Sequence, residues 1–383
     1  MIRKVLKMVL AIIVGMLVGL LIGGVIGMLA NGLTLDEYIA KFMRIDYGEI
    51  IAVVIASIIF GVLSMVLQVI IHESGHLVAG LMTGYRFVSF RIFSLTLLKI
   101  GGRYTFKRFA LAGTGGQCLL APPQRPLNEI NTLWYNLGGV LANIVTAVIC
   151  LASLFLFDVN PYLAMFLFFM VLFGFGLALL NGIPMKVMGI GNDGYNVFHL
   201  EKEPQTKRLL LQLLDANARV QSGAQIALLP EEWFDDDDVC DWGNGVETNW
   251  KMIVVARMLA RHEWDAAYER LSEAMASKDK LFGLFRQEIE GEMIFVSLLL
   301  GHEDEALQLL SSQQRQYLEK YATTQSGKRR ILAMIALKLD HDATKAAHIY
   351  DELVAHRNDY LMQGEVDMDI ELLEYVLTQE LSS

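Results

Sequence analysis

Residues 66–82 read VLQVIIHESGHLVAGLM, and they place three ionisable side chains inside an apolar run that begins near Ile50. The run is long enough to cross a bilayer, which needs about 20 predominantly apolar residues in a helix. An ionisable side chain near the middle of a bilayer costs roughly 3 kcal/mol or more unless it is paired or functional. The sequence therefore predicts that His72, Glu73 and His76 form a site within a membrane helix.

The spacing of the two histidines is suited to binding a metal ion. His72 and His76 lie four residues apart, so both imidazoles project from the same face of a helix. Two ring nitrogens at this spacing can bind one zinc ion, and Glu73 can take a proton from a water molecule that the zinc activates. The alternative interpretation is a structural histidine pair, which is costly to retain in a membrane without a metal.

A third metal ligand is expected from a later part of the chain, because zinc in a hydrolase usually has three protein ligands and a water. The last long apolar run is interrupted by the sequence NGIP at residues 181–184 and is followed by Asp193. Asp193 is the only acidic residue between Asp158 and Glu201, and it is the candidate ligand. The alternative is a solvated aspartate in a glycine-rich loop.

Four apolar runs predict a polytopic bundle of membrane helices. The predicted spans are residues 5–30, 50–82, 132–157 and 162–185. A cleaved signal peptide is the alternative for the first run, but the run is long and lacks a strong cleavage site. Because the second and fourth spans cross in the same direction, the histidines and Asp193 are expected at similar depth.

Basic residues predict the orientation of the spans, since cytoplasmic loops are rich in Lys and Arg. The connection over residues 83–131 contains seven basic residues and only one acidic residue, Glu129. Arg3, Lys4 and Lys7 lie at the start of the first span. We therefore expect a multi-pass protein of a bacterial cell membrane, with both termini in the cytoplasm.

The same connection predicts a small membrane-associated β-sheet. Residues 85–93 and 103–110 alternate polar and apolar side chains, residues 95–100 are apolar, and a Gly-Gly turn lies at residues 101–102. An exposed edge of such a sheet can pair with an extended peptide. A basic loop without strands is the alternative.

Two asparagines lie in the predicted spans. Asn143 follows a Gly-Gly pair in the third span, and Asn181 precedes the break in the fourth. An amide within a membrane helix needs hydrogen-bond partners. Asn143 and Asn181 can bind the substrate backbone or its oxyanion, or they can form structural hydrogen bonds between helices, and both interpretations stay open.

Residues 50–195 resemble the site-2 protease family of intramembrane zinc metalloproteases. The resemblance consists of HESGH in one span, Gly-Gly-x-x-x-Asn in the next, and Asn-x-x-Pro followed by Asp-Gly in another. It implies that transmembrane segments of membrane-protein or signal-peptide substrates are cleaved within the membrane. It also implies six functional residues, namely the Zn²⁺ ligands His72, His76 and Asp193, the catalytic base Glu73, and the substrate-binding residues Asn143 and Asn181.

The second half of the chain differs from the first in charge. Residues 1–194 contain 13 basic and 8 acidic residues, whereas residues 195–383 contain 19 and 34. This change predicts a membrane domain followed by a soluble domain. The acidic half argues against a nucleic-acid partner, because phosphate binding requires a basic surface.

The acidic half predicts a soluble α-helical repeat domain. A helix is expected over residues 204–221, and the acidic stretch at residues 230–238 predicts a solvated loop. Three helix pairs follow, in which Ala267, Ala306 and Ala346 recur at steps of 39 and 40 residues. The pattern resembles the tetratricopeptide class, whose usual period is about 34, and predicts a groove for a cytoplasmic protein partner. A helical bundle without a partner is the alternative.

The expected fold is therefore mainly α, with about four membrane spans, a small β-sheet and a soluble helical repeat domain. Its predicted parts are an N-terminal span with an external connection (1–49), a metalloprotease core (50–195), a linker with an acidic loop (196–248) and the helical domain (249–383). An intramembrane zinc metalloendopeptidase is the leading functional hypothesis. The alternative is a catalytically inactive membrane scaffold that binds partners through its helical repeats. A prenyl-protein type of membrane metallopeptidase would need a glutamate ligand in a later span, and no predicted span contains one.

Overall fold

The computed structural model describes residues 32, 34–37, 47–100, 103–109, 115–187, 189–234 and 241–382. Three predicted features lie outside this part of the chain, namely the span over residues 5–30, the turn at residues 101–102 and the aspartate run at residues 235–238. The chain divides into two compact units, Met1–Leu63 and Ser64–Ser383. All of the contacts that form the candidate site lie within the second unit.

Three of the described helices are long and apolar enough to cross a membrane. They are α1 (Tyr47–Met82), α2 (Leu133–Leu156) and α3 (Pro161–Gly182). They correspond to the second, third and fourth predicted spans, and each satisfies the requirement of about 20 residues. The helix α3 begins directly after Asn160, whose side chain accepts a hydrogen bond from the backbone N–H of Leu163 at 3.0 Å, as helix-capping residues do.

The helices α1 and α2 approach closely where a glycine faces a glycine. A Cβ atom on Gly75 would lie 2.2 Å from the carbonyl oxygen of Gly138, and a Cβ atom on Gly138 would lie 2.3 Å from that of Gly75. Small residues allow such close approach of helices in membranes. The contact lies beside His72 and His76, so it sets the distance between α2 and the two imidazoles.

A buried glutamine connects α1 to both of the other membrane helices. The Nε2 atom of Gln68 donates to the carbonyl oxygen of Met170 in α3 at 2.8 Å. Its Oε1 atom accepts from the Nδ2 atom of Asn143 in α2 at 2.8 Å. Polar side chains that bridge membrane helices in this way contribute about 1 kcal/mol each.

A four-stranded antiparallel sheet lies between α1 and α2 in the sequence. Its strands are β1 (Arg86–Ile92), β2 (Leu95–Ile100), β3 (Arg103–Arg108) and β4 (Gly116–Ala121), in the spatial order β3-β2-β1-β4. The predicted hairpin is present, with Ile100 opposite Arg103, and the alternative of a basic loop without strands is wrong. The strand β4 was not predicted, because its last four residues are all buried and therefore do not alternate.

A short hairpin returns the chain from the end of α3 to the candidate metal ligand. The helix α3 ends at Gly182, earlier than predicted, because Pro184 removes a backbone donor and disfavours helix in the residue before it. The strands β5 (Lys186–Val187) and β6 (Ile190–Gly191) form the hairpin. The helix α4 (Asp193–His199) follows directly.

The predicted helix at residues 204–221 is present as α5 (Pro204–Gln221). It packs against the sheet, with Leu211 in one core cluster with Tyr85 and Leu120. Ala218 lies in a second cluster with Leu119 and other residues of β1 and β4. The segment that was expected as a linker therefore includes a helix that packs on the sheet.

The rest of the chain is helical. The helices are α6 (Gly245–Ala260), α7 (Trp264–Ala276), α8 (Gly283–Leu299), α9 (Glu303–Leu309), α10 (Ser312–Tyr321), α11 (Ser326–Lys338), α12 (Ala343–Ala355) and α13 (Gln363–Ser382). The predicted pairs correspond to α6–α7, α8–α9 and α11–α12, and Ala267, Ala306 and Ala346 are fully buried. The helices α10 and α13 were not predicted, and membership of the tetratricopeptide class stays a prediction.

A buried ionic cluster connects three of these helices. Arg330 of α11 is 2% exposed, and it donates to Glu292 of α8 and to Asp369 of α13, both at 2.7 Å. Glu365 lies one turn before Asp369 on α13. Burial and the charge of Asp369 raise the pKa of Glu365 to about 8.

Replacing Glu365 with Gln should raise the free energy of unfolding at pH 8 and leave it almost unchanged at pH 4. The native carboxyl keeps a proton up to about pH 8, whereas the unfolded one loses it near pH 4.5. The stability of the wild type therefore falls as the pH rises between these values, by about 1.4 kcal/mol for each pH unit at most. Thermal unfolding of the full chain in detergent, followed by tryptophan fluorescence, measures the difference.

The exposed Glu303 provides the control, since Glu303→Gln should keep the pH dependence of the wild type. Equal pH dependence in the wild type and Glu365→Gln would contradict the prediction.

Candidate metal centre

Three side chains from two separate segments converge at one point. The Nε2 atoms of His72 and His76, both on α1, lie 3.1 and 3.3 Å from the Oδ2 atom of Asp193 at the start of α4. The two Nε2 atoms are 3.2 Å apart. The structure thus brings together the three residues that were predicted as metal ligands, within 4.8 Å of one another.

In each imidazole, a hydrogen bond at Nδ1 determines whether the Nε2 atom has a lone pair directed at the other ligands. The Nδ1 atom of His72 lies 2.7 Å from the Oδ1 atom of Asn143, and that of His76 lies 2.7 Å from the carbonyl oxygen of Tyr135. Both partners are acceptors, so each Nδ1 atom must carry the proton. Each Nε2 atom therefore presents a lone pair, as it does in metal-binding histidines.

The three converging atoms are suited to a zinc ion. All three are electron-pair donors when both imidazoles are neutral, and the buried Oδ2 atom of Asp193 has no hydrogen-bond partner apart from these imidazoles. Three lone pairs that face one another repel unless a metal ion or a proton lies between them. Ligands of a tetrahedral zinc ion at about 2.0–2.1 Å are about 3.3 Å from one another, close to the separations observed. Two imidazoles and one carboxylate also leave a fourth position open for water.

Asn192 and Gly194 hold Asp193 in place. The Oδ1 atom of Asn192 accepts from the backbone N–H groups of Tyr195 and Met185, at 2.9 and 3.0 Å, and its Nδ2 atom donates to carbonyl oxygens at the end of α3. A Cβ atom on Gly194 would lie 2.1 Å from the carbonyl oxygen of the last residue of α3. Only glycine therefore allows α4 to begin so close to α3.

Glycines also make room for the functional side chains themselves. A Cβ atom on Gly139 would lie 2.5 Å from the Nε2 atom of His76 and 2.6 Å from the Cε1 atom of His72. A Cβ atom on Gly116, the first residue of β4, would lie 2.6 Å from the Cγ atom of Glu73. The sheet therefore covers the predicted catalytic base, and α2 fits against the imidazoles.

Glu73 is half-buried between the metal ligands and the sheet. Its carboxylate interacts electrostatically with both histidines and Asp193, and it interacts with the backbone of Cys118. Burial and the charge of Glu73 raise the pKa of Cys118 to about 12. The thiol of Cys118 therefore stays protonated at neutral pH and does not supply a thiolate ligand.

The two predicted substrate-binding asparagines have different surroundings. Asn143 is fully buried, and its amide contacts His72 through oxygen and Gln68 through nitrogen. Asn181 is half-buried, and its Nδ2 atom donates to the carbonyl oxygen of Leu177 in its own helix at 3.0 Å. Asn143 thus forms hydrogen bonds between helices, as the structural interpretation predicted. Substrate binding by either asparagine stays a prediction.

Several residues of the site were not recognised from the sequence. Asn192 could have been recognised from the sequence, because it directly precedes a short helix and has a preferred capping side chain. Gln68 could also have been recognised, because it lies four residues before His72 on the same helix face. The contribution of Tyr135 could not be recognised from the sequence, because it is made by a backbone carbonyl.

Comparison with known proteins gives one match. The model of Peptidase family M50 matches residues 60–163, which include His72, Glu73 and His76 and end before Asp193. No curated protein and no solved structure matches the chain. At the level of the family, the match supports a membrane metallopeptidase. The chain is therefore similar, over residues 60–163, to Peptidase family M50, the family of the site-2 proteases.

Proposed function

We propose that this protein is an intramembrane zinc metalloendopeptidase that cleaves transmembrane segments of membrane-protein or signal-peptide substrates. The observation that carries the proposal is the convergence of two imidazole nitrogens and the Asp193 carboxylate at separations suited to zinc. The match to Peptidase family M50 supports the same class of enzyme. The three apolar helices support a multi-pass membrane protein.

Each residue of the site has a proposed role in hydrolysis. His72, His76 and Asp193 would hold a zinc ion, which supplies a Lewis acid for the scissile carbonyl and lowers the pKa of a water molecule. The Glu73 carboxylate takes the proton from the attacking water and gives it to the leaving amine. Asn143 keeps the proton of His72 on Nδ1, so that its Nε2 atom stays available as a ligand.

The substrate must be extended at the site, because the carbonyl groups of a helix are occupied by hydrogen bonds within the helix. The strand β4 is an edge of the sheet, and its first residue, Gly116, contacts Glu73. An extended segment beside the start of β4 lies next to the proposed base. Pairing of a peptide with a sheet edge is a common mode of recognition.

The helical domain is proposed to bind a cytoplasmic protein partner, and the chain is proposed to lie in a bacterial cell membrane with both termini in the cytoplasm. The alternative of an inactive scaffold would share these properties. The convergence of the zinc ligands beside Glu73 favours the enzyme.

The substitution Glu73→Gln should abolish proteolysis and leave zinc binding intact. A general base contributes about 10²–10⁴-fold to the rate, whereas the three proposed ligands are unchanged. The test is to add wild-type or Glu73→Gln protein to membranes of the host and to identify new peptide termini by mass spectrometry, with zinc content measured in parallel. Glu129→Gln serves as the control, which should cleave like the wild type.

Cleavage by Glu73→Gln at the wild-type rate would contradict the role of the carboxylate. A purified wild type with no stoichiometric zinc would contradict the whole proposal.

The substitution Gly139→Ala should lower the zinc content of the protein at least about tenfold, because its Cβ atom would lie within 2.6 Å of both imidazoles. Gly176→Ala is the matched control, since a Cβ atom there would have no atom within 4 Å. Both purified variants can be compared by elemental analysis. Equal zinc content in the two would show that α2 does not constrain the imidazoles as described.

The two interpretations of Asn143 predict different results for Asn143→Leu. If the amide orients His72, zinc affinity should fall about 10–100-fold, the usual effect of losing such a partner. If it binds only the substrate, KM should rise and zinc affinity should not change. Chelator competition measures zinc affinity, and Asn143→Asp is the control because it keeps an oxygen acceptor for the Nδ1 proton.

A further inference from the structure

A cavity of about 450 Å³ lies between the sheet and the helical domain. Its wall is formed by residues of β4, α5, α6, α8, α11 and α13 and by adjoining loops. The volume is within the range of small-molecule sites, about 300–1,000 Å³. Much of the wall is apolar, for example at Leu119, Ile253 and Met362.

The wall of the cavity contains more acidic residues than basic residues. Three glutamates and two basic residues line the cavity. Both basic residues already have partners. Lys328 donates to Glu288, and Arg330 donates to Glu292 at 2.7 Å and to Asp369 behind the wall at 2.7 Å. Both cations therefore have carboxylate partners, although the charge of Lys328 also acts on Glu365 from a distance.

Two carboxyl groups remain without a full set of partners. Glu365 lines the cavity and makes no ion pair with any residue in the described part of the chain. Asp369 is 0% exposed, and its Oδ2 atom has no hydrogen-bond partner. That oxygen lies 3.8 Å from the position of a Cβ atom on Gly327, which lines the cavity. Desolvation raises the pKa of Glu365 to about 8, so its carboxyl keeps its proton at neutral pH unless a cation beside it favours the carboxylate.

We propose that this cavity binds a primary ammonium group carried on an aliphatic chain, with the ammonium beside Glu365 and the chain against the apolar wall. The ammonium donates to the Glu365 carboxyl and favours its ionised form, and the apolar side chains are suited to the body of the ligand. Mg²⁺ or Ca²⁺ fits less well, because each requires about six or more oxygen ligands. The ligand is a free polyamine or a lysine side chain of a peptide, since both present the same group.

The cavity and the candidate metal centre share one strand. Gln117 and Leu119 of β4 line the cavity, whereas Gly116 and Cys118 contact Glu73 on the other face. Successive residues of a strand point to opposite faces, so a ligand that displaces β4 also displaces the backbone that covers Glu73. A bound amine should therefore change the rate of cleavage. This effect on the rate rests on the proposed function, whereas the binding of the amine is independent of it.

Binding is tested by titrating the full chain in detergent at pH 8 with spermidine, with an acetylated and amidated Ala-Lys-Ala peptide, and with magnesium chloride, using calorimetry. The Glu73→Gln chain is used, so that the result does not depend on proteolysis. Glu365→Gln should lower the affinity for the amine at least about tenfold, and Glu303→Gln should not change it. Thermal unfolding of Glu365→Gln shows that any loss of binding does not come from misfolding.

Binding of spermidine alone assigns the site to a free amine, and binding of the peptide alone assigns it to a lysine side chain. Either result supports the proposal. The proposal is overturned if neither amine binds or if Mg²⁺ binds more tightly than either amine. It is also overturned if the chain binds the amine equally well with Glu365 and with Glu365→Gln.

The regulatory part is tested with the wild-type enzyme. A saturating amine should change its cleavage rate at least about twofold and leave a chain with Glu365→Gln unaffected. An unchanged rate with the amine bound overturns the coupling through β4. Absence of any cleavage by the wild type counts instead against the proposed function.

Discussion

The rest of the structure depends on one arrangement, in which three electron-pair donors face one another at about 3 Å. Two of them lie on a helix that is suited to a membrane. The repulsion between His72, His76 and Asp193 is relieved by a metal ion or by a proton, and each side chain is held in place from behind. Asn143 and the backbone of Tyr135 hold the imidazoles. The packing of glycines and the buried Gln68 bridge then align the helices that carry these groups.

The β-sheet contacts the candidate site on one side and the helix α5 on the other. One face of β4 covers Glu73, and α5 packs against the sheet through Leu211 and Ala218. The segment between the membrane helices and the helical domain is therefore part of the packed structure. Among the described residues, the path from the helical domain to the proposed base runs through packed contacts of α5 and the sheet.

Much of the site could be predicted because its chemistry is unusual for its surroundings. His72, Glu73 and His76 are recognisable as polar residues in an apolar run, and Asp193 is recognisable because acidic residues are scarce around it. The strand β4 was missed because its buried residues do not alternate, and the backbone of Tyr135 leaves no trace in the side-chain pattern. The identity of the substrate depends on contacts with another molecule, which one sequence does not encode.

The origin of the proposed ligands in distant parts of the chain has a consequence for biosynthesis. His72 and His76 lie on α1, and Asp193 follows only after α2, α3 and the β5–β6 hairpin. A ribosome must therefore translate all of these segments, and the translocation machinery must release them, before the constellation is complete. With the proposed zinc site, a nascent chain would therefore gain activity only after Asp193 has reached the two histidines.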